Sequence, residues 1–231
     1  MTTGNQKREH PGEARYAALA AVLVAIALYA FLPNNLFFGP RFAVPGLELL
    51  LLIPVLIGNP HRMTKQTTSL RWVSLGLVLL IALTNTVALV LLIDQLVSGG
   101  TKNGTQLLLG AAQVWLTNMI VFGLTFWELD RGGPVVRTQI PRAKLPPADF
   151  RFPQDEDHDA IDEVAAGSSA KSDWSPGFLD YLYVSMTNSS AFSPTDTMPL
   201  SHRAKMLMAV ESLSALMLSV LVIARGVSLL K

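Results

Sequence analysis

The sequence predicts an all-α, polytopic membrane protein, and three observations indicate this fold class. Half of the residues are hydrophobic and only 15% are charged, a composition typical of chains with repeated apolar helices. Five apolar runs follow one another, at 16–32, 42–57, 72–93, 107–129 and 200–230, and a membrane helix needs about 20 such residues. Finally, most of the charged residues lie between these runs rather than within them.

The first two runs are the shortest of the five. The run at 16–32 follows Lys7, Arg8 and Arg15, so a secretory signal peptide is the competing interpretation. No small-residue cleavage site follows it, and a membrane-spanning helix is therefore favoured. The run at 42–57 contains an acid and two prolines, which membrane helices tolerate when neighbouring groups satisfy the freed carbonyls.

The third and fourth runs complete a predicted four-helix transmembrane region at 1–129. The polar residues Glu48, Asn85, Gln113 and Asn118 lie inside the first four runs. They form no recognisable motif, and we interpret them as hydrogen-bonding groups that join helices.

Residues 130–175 differ in composition from the rest of the chain. They contain five prolines and the acidic stretch 155–159, which includes His158. Such a segment predicts an extramembrane linker with little regular structure. The acidic stretch could bind a metal, but its residues lack a spacing that would make them converge, so a solvated acidic run is favoured. We predict no metal site and no cofactor.

The C-terminal module at 176–231 has three distinct parts. A short helix is predicted at 178–188, a hydroxyl-rich segment containing Pro194 follows, and a long helix of about 45 Å begins after Pro199. Polar, irregular backbone is tolerated at membrane depth only where protein or water covers it. This order predicts a re-entrant element that lines a cavity, followed by a final transmembrane helix.

Lysine and arginine are distributed unequally between the two ends of the first four helices. If these helices alternate, the N-terminal segment, the loop at 58–71 and the linker share one side of the membrane. That side carries twelve basic residues: Lys7, Arg8, Arg15, Arg62, Lys65, Arg71, Arg131, Arg137, Arg142, Lys144, Arg151 and Lys171. The other side carries only Arg41 and Lys102. This bias predicts a cytoplasmic N-terminus in a bacterial inner (plasma) membrane. The bias does not decide whether 176–198 dips into the membrane or crosses it.

Residues 183–199, YVSMTNSSAFSPTDTMP, resemble the pore loop of the two-helix potassium-channel superfamily, whose pattern is SFTTLTTVGYGDxxP. Ser185 and Thr187 fall on the matching hydroxyls, Asp196 on the acid and Pro199 on the proline. The final helix is similar to the inner helix of that family, and the resemblance covers 176–230. The segment AFSPTDTMPL also resembles one found in uncharacterised bacterial integral membrane proteins, which implies no function.

The resemblance implies an ion pathway in a symmetric homo-oligomer, with a tetramer favoured. Where the family has GYG, this chain has Ser193-Pro194-Thr195, and proline cannot adopt the backbone angles of those glycines. A potassium-type carbonyl filter is therefore not expected. A hydroxyl-lined pathway would either pass monovalent cations with poor selectivity or not conduct ions at all. In potassium channels this loop enters from outside, whereas the basic-residue bias here favours entry from the cytoplasm, and the sequence leaves both directions open.

The residues expected to line the pathway are Asn188, Ser190, Ser193, Thr195 and Asp196. For Asp196 a role in capping the final helix is slightly favoured over a role in the pathway. Glu211 lies within the final helix, where an acid is a functional candidate, although a hydrogen-bonded packing role is an equal alternative.

No enzyme is predicted, because no phosphate loop, zinc-protease motif or nucleophile elbow is present. Because the net charge is only +1, no nucleic-acid partner is expected. The expected partner is the lipid bilayer. The alternative functions are a non-conducting membrane scaffold or accessory subunit with a channel-derived fold and, less favoured, a small secondary transporter.

Overall fold

The computed structural model describes residue 8 and residues 10–37, 40–98, 103–156, 161–190 and 196–229. This part of the chain is mostly helical. The α-helices are α1 (Tyr16–Ala30), α2 (Ala43–Gly58), α3 (Thr68–Ser98), α4 (Gly104–Leu129), α5 (Pro134–Gln139), α6 (Asp162–Ala165), α7 (Ser169–Ser172), α8 (Phe178–Ser189) and α9 (His202–Leu229). The strands are β1 (Glu13–Ala14), β2 (Arg62–Met63), β3 (Phe150–Arg151) and β4 (Met198–Pro199). Single turns of 3-10 helix lie at Asn34–Leu36, Asp130–Gly132, Arg142–Lys144 and Pro153–Asp155.

Within the described residues, α3, α4 and α9 are long and apolar enough to cross a membrane. Helices α1 and α2 are apolar but have only 15 and 16 residues, or about 23 Å at 1.5 Å per residue. The hydrocarbon core of a bilayer is about 30 Å thick. The chain is therefore compatible with a membrane protein, but helix length supports only two of the four spans predicted at 1–129. Helix α1 ends at Ala30, two residues before the end of its apolar run and three residues before Pro33.

Helices α1 to α4 run alternately up and down. Strand β1 precedes α1 and pairs antiparallel with β2, which follows α2. The start of α1 and the end of α2 therefore lie at the same side of the bundle. At the end of α4, the Trp127 Nε1–H donates to both carboxylate oxygens of Glu13 at 3.0 Å. We call this end, marked by Glu13, Met63 and Trp127, the linker end, and the opposite end the far end.

Helix α4 is the centre of the bundle and packs against α1, α3, α8 and α9. In its apolar window 61% of the residues are buried, against 22% for α9. Gly123 makes the close contact with α8 possible, because a Cβ at this position would lie 3.1 Å from the Leu182 Cα. Helix α9 is therefore peripheral, and much of its apolar surface is left uncovered by this subunit.

The linker, which the sequence predicts to have little regular structure, packs onto the linker end of the bundle. Strand β3 pairs antiparallel with β4, and the rings of Phe150 and Phe152 lie 6.2 and 5.3 Å from the ring of Tyr181 in α8. The Trp174 ring lies 5.7 Å from the Phe152 ring. Aromatic burial, rather than helix or sheet periodicity, orders this segment, because each such ring removes a large apolar area from water.

Candidate functional site

The segment between the linker and α9 enters and leaves the bundle at the same end. Helix α8 begins at the linker end, where the Glu13 carboxylate accepts a hydrogen bond from the Phe178 backbone N–H at 2.6 Å. The chain returns to that end before α9, since β4 pairs with β3 and the Leu200 N–H donates to the Asp149 carbonyl at 2.7 Å. The described residues 178–190 and 196–200 therefore start and finish at the linker end, and we call them the hairpin.

The N-terminus of α8 is fixed by negative side chains, which is favourable because unpaired N–H groups and the helix dipole make this end positive. Besides Glu13, the Asp180 carboxylate accepts from the Gly177 N–H at 2.7 Å. Glu13 is itself held by Trp127 and by the Arg137 guanidinium, 3.3 Å from its Oε2. The position of the hairpin is thus tied to the N-terminal segment and to the end of α4.

Helix α8 packs against one acid of the final helix. Glu211 is fully buried and lies on the stripe of α9 that packs inward with Ala204, Met208, Ala215 and Leu218. Its carboxyl receives hydrogen bonds from three side chains of α8. The Ser189 hydroxyl lies 2.8 Å from Oε1, the Asn188 Nδ2 lies 2.7 Å from Oε2, and the Ser185 hydroxyl also contacts Oε1.

These donors share one face of α8, because positions 185, 188 and 189 are three and four residues apart. Val184 and Tyr181 continue the same buried face toward the linker end. Asn188 is fixed further, because its Nδ2 donates to the Met208 carbonyl at 2.9 Å and its Oδ1 accepts from the Ser212 hydroxyl at 2.8 Å. Helices α8 and α9 are therefore joined by a network centred on Glu211.

A chain of amide and hydroxyl groups leads away from this network across the bundle. The Ser214 hydroxyl of α9 lies 3.5 Å from the Asn118 Nδ2 of α4, and the Asn118 Oδ1 accepts from the Asn85 Nδ2 of α3 at 3.0 Å. Thr84 is the neighbour of Asn85 in α3, and its hydroxyl lies 3.4 Å from the Oε1 of Glu48 in α2. Residues of four helices therefore form one transverse polar layer.

Glu48 is the second acid in the body of the bundle. Its side chain is 1% exposed, and its Oε2 has no hydrogen-bond partner among the described residues. Neither Glu48 nor Glu211 forms an ion pair with a described lysine, arginine or histidine. Burying an ionised carboxylate without an ion partner is very unfavourable, which distinguishes these two acids from buried acids that pair with arginine.

Buried acids at the linker end have basic partners. Asp130 is fully buried and lies 3.5 Å from the Arg131 Nε, and it accepts from the Tyr181 hydroxyl at 2.5 Å. The Asp149 carboxylate binds Arg203, with the Nε at 2.7 Å from Oδ1. These ion pairs hold the linker, the base of α8 and the start of α9 together.

A further ion pair lies beside a cavity of about 70 Å³ between α1, α2, α3 and α4. Glu128 accepts hydrogen bonds from Arg71 and Ser74 and is almost fully buried. The other walls of this cavity are mainly apolar. Because each oxygen of the Glu128 carboxylate accepts from a residue of α3, this pair joins α3 to α4 at the linker end.

No protein family, curated protein or solved structure matches this chain. Within the described residues, no cluster of three or more histidine, aspartate or glutamate side chains is placed to hold a metal ion.

The structure places the sequence-derived candidates in different environments. Asn188 is buried in the Glu211 network, whereas Ser190 is half-buried at the end of α8 and donates to the Met186 carbonyl at 2.7 Å. Asp196 is exposed, two residues before β4. Ser193 and Thr195 lie outside the described residues.

Ser185 and Ser189 belong to this site but were not among the sequence-derived candidates. The signal that could have identified them is the spacing of Ser185, Asn188 and Ser189 on one helical face, opposite an acid on the apolar stripe of the next helix. Sequence alone does not say that these two faces meet, because the contact depends on the unpredicted course of the hairpin.

Proposed function

We propose that the protein is an ion-channel-like membrane protein that carries cations along a non-standard pathway at the α8–α9 hairpin. The observation that carries this proposal is a fully buried acid, Glu211, held by a re-entrant polar helix and without a described basic partner. Acids inside membrane segments are rare and commonly mark ion or proton pathways.

The proposed membrane arrangement has α1 to α4 and α9 as crossing helices, with α8 dipping in from the linker end. The excess of lysine and arginine at that end supports a cytoplasmic location for it and for the N-terminus, in a bacterial inner membrane. The hairpin would then enter from the cytoplasm. The short α1 and α2 are accommodated if the bilayer thins locally or flanking residues extend to the interface.

A homo-oligomer, with a tetramer favoured, follows from the resemblance to pore-loop channels. The uncovered apolar face of α9 supports it, since 22% of its apolar window is buried in one subunit. Lipid or a second copy could cover that face. In such an assembly Ser190 and Asp196, which are not enclosed by their own subunit, would face the pathway that the sequence predicts.

The test is cation flux into liposomes that contain the purified protein. We expect flux in the unmodified protein, loss of flux in Glu211→Gln, and reduced flux in Asp196→Asn. Glu163→Gln is the matched control, because Glu163 is an exposed acid in α6. No flux of H⁺, Na⁺ or K⁺ at any voltage would refute the proposed function.

One observation favours the alternative of a non-conducting scaffold or accessory subunit. Asn188, Ser185 and Ser189 are all hydrogen-bonded inside the same subunit, so these groups could serve only to fix α8 on α9. In that case Glu211→Gln, which retains hydrogen-bonding atoms, would leave partner binding intact while every flux assay stays at the level of empty liposomes.

A further inference from the structure

The groups around Glu211 are suited to a proton rather than to a metal cation. A bound Na⁺ or K⁺ needs several oxygen lone pairs directed at it. Here the Glu211 oxygens face an N–H and two hydroxyl groups. Asn188 cannot turn its oxygen toward the site without losing its bonds to the Met208 carbonyl and the Ser212 hydroxyl.

The Ser185 hydroxyl can hydrogen-bond to Glu211 in both protonation states of the acid. Its Oγ lies 2.8 Å from the Met119 carbonyl of α4 and also contacts Glu211 Oε1. A hydroxyl has one proton and two lone pairs, so it cannot donate to both oxygens at once. Donation to Glu211 suits the carboxylate, whereas donation to Met119 leaves a lone pair free to accept a proton from a neutral carboxylic acid.

No described positively charged side chain lies close enough to neutralise an ionised Glu211. Most titratable and charged side chains of the elements packed against it lie toward the ends of those elements: Asp180 and Tyr181 on α8, Glu128 on α4, Arg71 and Asp94 on α3, and His202, Arg203, Lys205 and Arg225 on α9. Tyr183, in the middle of α8, is half exposed. Arg203 is eight residues away on the same helix, about 12 Å along its axis. A neutral acid is the form that burial favours.

We propose that Glu211 binds and releases a proton, and that the proton is the cation carried by the pathway. This inference rests on the proposed function. On protonation, Oε1–H donates to the Ser185 hydroxyl, which donates its own proton to the Met119 carbonyl. On release, the proton passes to water and the Ser185 hydroxyl turns to donate to the carboxylate.

Glu48 is the second proton-binding group of the same transverse layer. Its carboxyl has one weak contact, to Thr84 at 3.4 Å, and one oxygen without a described partner. The two acids are therefore distinguishable by experiment, because a hydrogen-bonded carboxylic acid has a lower C=O stretching frequency than a nearly free one.

The experiment is infrared difference spectroscopy of the full-length protein in lipid, titrated with pH at constant ionic strength. We expect two bands of protonated carboxyl groups. The lower-frequency band should disappear in Glu211→Gln and the higher-frequency band in Glu48→Gln. Ser185→Ala should shift the Glu211 band while keeping the acid, which guards against misfolding of the glutamine variant. Ser219→Ala is the control, because among the described residues that hydroxyl bonds within its own helix, at the Ala215 carbonyl.

Three results would overturn the inference: a lower-frequency protonated-carboxyl band that persists unchanged in Glu211→Gln, a Glu211 that stays ionised throughout the titration, or a lower-frequency band that responds to exchange of Na⁺ for K⁺ at fixed pH. The spectra require no transport. Proton titration without flux would therefore refute the proposed function alone, whereas flux without a Glu211 titration would refute only the proton assignment.

Discussion

Substitution of Gly123 tests how α8 is seated on α4. An alanine Cβ at this position would lie 3.1 Å from the Leu182 Cα and 3.5 Å from its backbone nitrogen. Backbone atoms cannot rotate away, so α8 must shift by a few tenths of an ångström. Overpacking of this kind lowers the free energy of unfolding by about 1–3 kcal/mol. Alanine also raises helix stability by about 1 kcal/mol relative to glycine, which partly hides the effect.

The matched control removes that second contribution. Gly76 lies in α3, and a Cβ there would meet nothing within 4 Å, so Gly76→Ala should gain helix stability alone. The two variants should therefore differ by about 1–3 kcal/mol in unfolding free energy, with Gly123→Ala the less stable. Tryptophan fluorescence during thermal unfolding in detergent measures this difference. Equal stability of the two variants would refute the close α4–α8 contact and, with it, the position of the Glu211 donors.

Two further predictions concern the linker end. Tyr181→Phe removes the hydroxyl that donates to the buried Asp130 and should lower the free energy of unfolding by about 1.5–3 kcal/mol. Tyr183→Phe, on an exposed face of the same helix, should change it little, and the pair is measured by thermal unfolding. Burial alone would raise the pKa of Asp173, but hydrogen bonds from Arg8 and Arg142 outweigh it and hold that pKa below its usual value. Because the folded-state pKa is the lower one, the stabilisation is complete above about pH 4 and is lost as the pH falls through the lowered pKa. Asp173→Asn, which suits the left-handed backbone there, should remove this acid-dependent part of the melting temperature, and an unchanged slope would contradict the pairing.

Much of the helical content could be predicted from the sequence because apolar runs and helices coincide. The run at 107–129 corresponds to α4 and the run at 200–230 to α9. Helix α3 extends beyond its run at both ends because polar residues continue a helix when its ends are capped. The Thr67 hydroxyl, for example, accepts from the Leu70 N–H at 3.2 Å. The length of an apolar run indicates how much of a helix can lie in the membrane, whereas capping residues determine where the helix begins.

The sequence also predicts a re-entrant element at 178–200 but leaves a full crossing open, because proline marks where a helix ends without fixing the direction of the chain that follows. The linker was harder to predict, because its order depends on contacts distant in sequence. Asp149 follows two prolines and has no local signal, yet it binds Arg203 and accepts from the Leu200 N–H. The environment of Glu211 is of the same kind, since helical periodicity places it on a buried stripe without naming the residues opposite.

The contrast between the two groups of buried acids is the strongest argument for function. Glu128, Asp130 and Asp149, at the linker end, each have an arginine partner, as expected of acids that fix a structure. Glu48 and Glu211, in the body of the bundle, have none among the described residues. Packing alone does not require an acid at Glu48, where an apolar residue of similar volume would bury no carboxyl oxygen without a described partner, whereas at Glu211 three donors of α8 require a hydrogen-bond acceptor. Their chemistry, rather than their shape, is therefore the reason to expect an ion at this depth.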